Sequence, residues 1–113
     1  MNEVKAFIRH DKAESVIDAL AEIGVMKLSA SNVKGIGRSI APESESRYSV
    51  NLTQKYSKVT KLEIVCRSSD TEQIVDALRK GAYSGQQGDG MIYVVPVETA
   101  LKIRTGATGK DAL

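Results

Sequence analysis

The pattern that most constrains this chain is one it carries twice. Glu14-x-Val16-Ile17-Asp18-Ala19-Leu20 is matched by Glu72-x-Ile74-Val75-Asp76-Ala77-Leu78 at a constant offset. The alternating Val4, Ala6 and Ile8 ahead of the first copy map onto Leu62, Ile64 and Cys66 ahead of the second. Alternation is the period of a half-buried strand, whereas Val16, Ile17, Leu20 and Ile23 recur at helical spacing. Each copy therefore reads as a strand followed by a helix. Asp11 is placed to cap the first helix and Gly24 to close it; Ser69 or Asp70 is placed to cap the second, which ends near Gly81. Residues 25–33 and Met91–Val97 complete the two copies as further strands, beside strands over residues 3–9 and Lys58–Arg67. Two strand–helix–strand units in one chain predict a βαββαβ, ferredoxin-like α+β sandwich with both helices on one face of the sheet. The chain's 113 residues suffice for one such domain, spanning 1–113, and not for two. Phe7 and Val65 fall on the face away from the helices, which calls for a cover, and in a small chain a second subunit is the usual one.

Between strands two and three lies Ser39–Ser57, polar, serine-rich and without a sustained period. A connection this long inside a compact domain is expected to be a mobile interaction loop. Its apolar content is too low to offset an ordering entropy of roughly 1–2 kcal/mol per residue.

The chemistry concentrates further along. Ser84-Gly-Gln-Gln-Gly-Asp-Gly-Met-Ile-Tyr-Val-Val-Pro-Val97 sets glycines at 85, 88 and 90 immediately before an apolar, β-branched strand, and Lys102-Ile-Arg-Thr-Gly106 follows. A glycine-freed backbone can converge several N–H groups on one anion, and the strand would hold the loop rigid. Strand-anchored glycine loop plus nearby cations suits a phosphate cradle; a hairpin-type turn with no ligand is the alternative.

Several function classes find no footing. The formal net charge of +2 is too small to point to nucleic acid or an anionic membrane. RNA recognition on a sandwich of this kind needs stacking aromatics on the central strands, and the chain has one Phe, no Trp and scattered tyrosines. A single Cys66 permits no intrachain disulfide, and with one histidine, His10, there is no His/Cys metal set. His10 reads as a solvated turn residue and Cys66 as a small buried hydrophobe. Asp89, between two glycines, reads as a loop-shaping acceptor before a base. No apolar run reaches membrane-spanning length and the start lacks signal-peptide character, so a cytoplasmic, non-enzymatic protein is expected.

Ser84-x3-Gly88-Asp89-Gly90-x-Ile92-Tyr93-Val94, then Pro96-Val97-Glu98 and Ile103-Arg104-Thr105-Gly106, resembles the C-terminal signature of the PII signal-transduction family. Val33-Lys34-Gly35-Ile36-Gly37-Arg38 is similar to that family's turn into its long T-loop, and Glu22-Ile23-Gly24 sits where the family ends its first helix. The likeness covers the chain except roughly residues 39–57. It implies a homotrimer that binds adenine nucleotides as effectors in clefts between subunits and signals to a transporter or metabolic protein through the T-loop. Gly35, Gly37 and Arg38 would line the cleft opposite Gly88, Asp89, Gly90 and Met91. Adenine would sit near Ser29 and the backbone around Val65, and Lys102 and Arg104 would reach phosphates held by a neighbour.

The departures from that family are as informative. Its loop modification motif is replaced by Arg47-Tyr48-Ser49-Val50-Asn51-Leu52. Ser39 replaces a glutamine that helps to chelate Mg-ATP, and Val59 stands where a lysine pairs with 2-oxoglutarate. Met91 replaces a phosphate lysine, and Lys102 an arginine. These changes lead to the expectation that ADP or AMP is favoured over ATP, and that the effector is changed. Inorganic-carbon metabolism, with bicarbonate as a candidate effector, is the reading they suggest; a nitrogen regulator of ammonium transport or glutamine synthetase is the alternative.

Overall fold

The structure, a computed structural model, describes residues 1–36 and 56–113. The elements run β1 (Asn2–Arg9), α1 (Ala13–Glu22), β2 (Ser29–Ile36), β3 (Tyr56–Cys66), α2 (Thr71–Ala82) and β4 (Gly90–Pro96), with short 3₁₀ turns at His10–Lys12, Ser68–Asp70 and Gly109–Ala112. The four strands form one antiparallel sheet in the order β2-β3-β1-β4. This is the βαββαβ sandwich that the repeat predicts.

Register decides which residues meet. Val4 stands between Ile64 and Val94, and Ala6 between Leu62 and Ile92. Because side chains alternate across a strand, this row faces the helices and is fully buried at Val4, Ala6 and Leu62. Val16 and Leu20 from α1, with Ile74, Leu78 and Ala82 from α2, close the core over it. Burying a side chain of the size of Leu20, Leu62 or Leu78 contributes about 1.5–3 kcal/mol. Cys66 lies in this core, as its place in the repeat predicts. The helices touch closely at Gly81, where a Cβ would stand 3.2 Å from the Val16 Cα.

Local chemistry shifts several boundaries. Neither helix begins with a side-chain cap: a 3₁₀ turn leads into each, so Asp11 lies outside α1, and Asp70, although at the N-cap position, makes no capping bond. Gly24 does close α1, with its N–H on the Ala21 carbonyl and that of Val25 on the Leu20 carbonyl, the paired bonds of a Schellman motif. That closure draws Val25 back onto the helix, so β2 starts at Ser29, later than expected, and runs on to Ile36. α2 extends one residue past Gly81, and β3 starts at Tyr56, inside the stretch read as loop. Ile17, expected on the apolar face, lies at its exposed margin.

Among the described residues, no helix lies over the second sheet face. Phe7 and Tyr93 meet edge to face there, with ring centroids 6.0 Å apart. Val65, Met91, Tyr93 and Val95 are 41–57% exposed. Lys5 pairs with Glu3 and Lys61 with Glu63 on the same face. An apolar strip of this kind, edged by charge pairs, is what the sequence led us to expect of a subunit-covered surface. Among the described residues, no helix is long and apolar enough to cross a membrane, and no three metal-ligating side chains come together.

Candidate functional site

The glycine loop connects α2 to β4 over residues 83–89. It is tied from within by one carboxylate. Asp89 Oδ2 accepts hydrogen bonds from the N–H groups of Ser84 (2.8 Å) and Gly85 (2.9 Å). Its Oδ1 accepts from the Ser84 hydroxyl and from Arg9 Nε, the latter at 3.0 Å. The Ser84 hydroxyl oxygen in turn accepts from the Gln86 N–H at 3.2 Å. Arg9 makes a second bond, donating from Nη2 to the Gln87 carbonyl at 2.6 Å. The Ser84 hydroxyl and N–H, together with Arg9 and the Gly85 N–H, hold the Asp89 carboxyl far below the usual carboxylate range. With four hydrogen bonds on its two oxygens and its basicity lowered by them, this carboxylate is suited to shaping the loop rather than to accepting a proton.

Gly90 fastens the loop to the sheet. Its φ is +107°, and a Cβ there would stand 1.8 Å from the Phe7 carbonyl oxygen, so only glycine lets the chain pass. A tight turn at Gln87 and Gly88 brings the Asp89 N–H towards the Gln86 carbonyl, while among the described residues the N–H groups of Gln87 and Gly88 make no hydrogen bond. They are the donors that the loop can still offer an anion. Met91, the next residue of β4, is 57% exposed and supplies no charge. Behind the loop, a hollow of about 260 Å³ lies between Ile8, Ala82, Tyr83 and Ile92, with Arg79 on its rim.

The register divides the expected site residues between two ends of the sheet. Gly90 pairs with Ile8, and Gly35 with Ser57, which sets the glycine loop and Gly35 at one end. They stand on opposite edges, β4 and β2, with two strands between, or about 14 Å. Ser29 pairs with Glu63, and Val65 with Glu3, at the other end. Ser29 and Val65 share a hollow of about 530 Å³ with Glu3, Met26, Glu63 and Leu113. The six-residue run from Ser29 to Gly35 spans about 20 Å.

Lys102 and Arg104 belong to a turn closed by bonds between Lys102 and Ala107 and from the Gly106 N–H to the Lys102 carbonyl. A Leu101–Thr108 bridge forms its base. The chain enters this turn past Val97, whose N–H donates to Met1, and leaves it towards Leu113. The base of the turn is thus at the Ser29–Val65 end, away from the glycine loop. Arg104 is exposed. Gly37, Arg38, Ser39, Tyr48 and Ser49, with the rest of the expected loop up to residue 55, lie outside the described residues.

Arg9 escaped the sequence reading. Its signal was only its place at the end of a strand, and its purpose follows from the β1–β4 pairing that brings Ile8 against Gly90. His10 is exposed, as expected, with Nδ1 3.0 Å from the hydroxyl of buried Thr60.

Comparison with known proteins accords with this geometry. The family profile described as Nitrogen regulatory protein P-II matches residues 1–107. Nitrogen regulatory protein GlnK2 of Haloferax mediterranei is 42% identical over 97% of this chain and 89% of its own length. Nitrogen regulatory protein P-II 1 of Methanothermobacter thermautotrophicus is 39% identical over 100% of this chain and 97% of its own. Among solved structures, Arabidopsis thaliana PII bound to citrate superposes with a TM-score of 0.81 at 29% identity, covering 99% of this chain and 91% of that one. With the sandwich, the glycine loop and a profile match over nearly its whole length, this chain belongs to the nitrogen regulatory protein P-II family.

Proposed function

We propose that this P-II family regulator works as a homotrimer that binds adenine nucleotides in clefts between neighbouring copies and signals through residues 39–57. The observation that carries the reading is the division of the site. Ser29 and Val65, the expected adenine contacts, lie at one end of the sheet; the glycine loop and Gly35, the expected phosphate contacts, lie at the other. The separation exceeds the reach from an adenine ring to its second phosphate. One nucleotide meets both groups when one copy supplies the first set and its neighbour the second. The uncovered strip of Phe7, Val65, Met91, Tyr93 and Val95 supplies a reason for copies to associate.

ADP or AMP binds at least as tightly as ATP in this proposal. The loop's open N–H groups at Gln87 and Gly88 serve a short phosphate chain, and Met91 adds no cation for a longer one. Lys58 is no substitute for a cation at Val59, because a one-residue offset along β3 points it to the opposite face. On that ground 2-oxoglutarate adds nothing to nucleotide binding.

The relatives named above are nitrogen regulators, which favours nitrogen over inorganic-carbon metabolism as the setting; none of those names supports bicarbonate. A regulator in that setting acts on a transporter or enzyme without catalysing a reaction itself. Light scattering together with calorimetric titration by ATP, ADP and AMP, each with and without 2-oxoglutarate, tests the proposal. It expects the mass of three chains and ADP or AMP binding no weaker than ATP. A clean monomer, or a strong ATP preference enhanced by 2-oxoglutarate, refutes it.

A further inference from the structure

We propose that Arg9 is the positioning residue of the glycine loop: from the end of β1 it holds the turn at Gln87 and Asp89 so that the remaining loop N–H groups stay available to an anion. The inference rests on reading this loop as the phosphate wall of the cleft, and it names the group that keeps that wall in shape.

Three observations carry it. Arg9 is the last residue of a central strand and pairs with Val59 across the sheet, so its backbone is fixed on a rigid element. Its guanidinium reaches two points of the loop at once, the Asp89 carboxylate and the Gln87 carbonyl. The planar fork makes the two bonds from separate nitrogens, Nε and Nη2, at a fixed spacing that a lysine's single rotating ammonium does not provide. The two contacts also bracket Gly88, where an added Cβ would meet Arg9 Nη2 at 3.3 Å, so the guanidinium lies against the turn along its length.

The charge argument points the same way. An anion drawn to the Gln87 and Gly88 N–H groups approaches a carboxylate on the same turn. Arg9 compensates that charge through the 3.0 Å ion pair, while the Ser84 and Gly85 donors engage its other lone pairs. Removing Arg9 both frees the turn and leaves Asp89 uncompensated beside the phosphates. Arg9 touches no nucleotide in this scheme and acts entirely through the loop.

The test measures amide hydrogen exchange in the unliganded protein, ADP affinity, and melting temperature for Arg9→Ala, Arg9→Lys, Asp89→Asn and the Arg9→Ala, Asp89→Asn double variant. Arg9→Ala is expected to speed exchange at Ser84 and Gly85 and to weaken ADP, each by about tenfold, the modest size reflecting a partly exposed pair. Its melting temperature should stay within about 3 °C of wild type, since the contacts lie outside the core. Arg9→Lys should recover part of the ADP affinity, because charge returns without the two-point hold. The double variant should bind ADP no more weakly than Arg9→Ala, because two members of one network do not add. Unchanged exchange in Arg9→Ala overturns the inference, and so does faster exchange with unchanged ADP affinity. Wild-type protein that binds no ADP, with exchange still accelerated by Arg9→Ala, refutes the nucleotide reading while supporting the hold of Arg9 on the loop.

Discussion

Gly90→Ala should be the most damaging single-methyl addition in the glycine loop, and the structure sets the scale. The new Cβ would stand 1.8 Å from the Phe7 carbonyl oxygen and 2.9 Å from its carbon, both backbone atoms of the neighbouring strand. Neither can rotate away, so β4 must withdraw from β1 by about 1.5 Å to restore ordinary contact, stretching the ladder at Ile8–Gly90 and Phe7–Met91. The φ of +107° adds backbone strain for any L side chain, about 1–3 kcal/mol. Losing one or two ladder bonds adds about 1 kcal/mol each. The sum is about 2–5 kcal/mol, or a fall in melting temperature of roughly 8–20 °C for a chain of this size. Thermal unfolding followed by circular dichroism at fixed protein concentration reads this directly; the concentration must be held because assembly shifts the midpoint. Gly106→Ala is the control: that glycine also has positive φ, but a Cβ there meets nothing within 4 Å, so a loss of only about 1 kcal/mol is expected. A Gly90→Ala protein melting within about 2 °C of wild type would refute the argument, because the contact with β1 would then cost nothing.

Met91→Lys restores a cation at the exit of the glycine loop and should tighten ATP by about tenfold while changing AMP little, since the added charge answers the added phosphates. Arg104→Ala should instead weaken all three nucleotides, and calorimetry that finds ATP alone affected would reassign that arginine. The pH response follows from Asp89, whose folded-state pKa is lowered. A group of this sign contributes its stabilisation above the ordinary carboxylate range and loses it only as pH falls through the lowered value. Exchange at the Ser84 and Gly85 amides, after correction for intrinsic rates, should therefore show no Asp89-linked change between about pH 5 and 8; a loss of protection near pH 5 would contradict it. Replacing residues 39–55 by a short glycine-rich turn should leave trimer mass and ADP affinity within about threefold of wild type, while abolishing capture of the partner protein. The ladder supports this design, because Ile36 and Tyr56 already pair across the gap. An unfolded product would make the segment structural.

What the sequence disclosed, and what it withheld, follows from the range of each interaction. The duplicated strand–helix pattern was legible because burial imposes a period on neighbouring residues: Val4, Ala6 and Ile8, like Leu62, Ile64 and Cys66, all reached the core. The closure of α1 was legible too, since Gly24 acts within a few residues of its partners. Helix starts were misread because Asp11 and Asp70 suit a cap in composition, whereas the backbone enters each helix through a 3₁₀ turn without a capping bond. The start of β2 was misplaced because Val25 and Leu28 are apolar enough for a strand, yet they pack against the core from the turn that follows α1.

The functional region divides along the same line. The glycines announced themselves as a local motif, but Arg9 is separated from Asp89 by most of the chain and meets it only because β1 lies beside β4. The proposed cleft is harder still to read, since the order of residues along one chain says nothing about which groups a second copy would present. Once the register is known, Gly35 and Gly88 fall on opposite edges of one sheet end, and Ser29 and Val65 at the far end. Among the described residues, both edge strands also leave one side of their backbone unpaired, and β4 carries Met91, Tyr93 and Val95 beside that edge. Such edges and apolar strips need cover. In the proposed trimer, a neighbour that supplied it would also bring the far end of its own sheet towards the glycine loop, so the proposal makes assembly and ligand binding depend on the same surface. On that proposal, a variant at Val65 or Tyr93 that lowers the assembled mass in light scattering is expected to weaken ADP binding as well, even with every loop contact intact; unchanged ADP affinity in a dissociated variant would refute it.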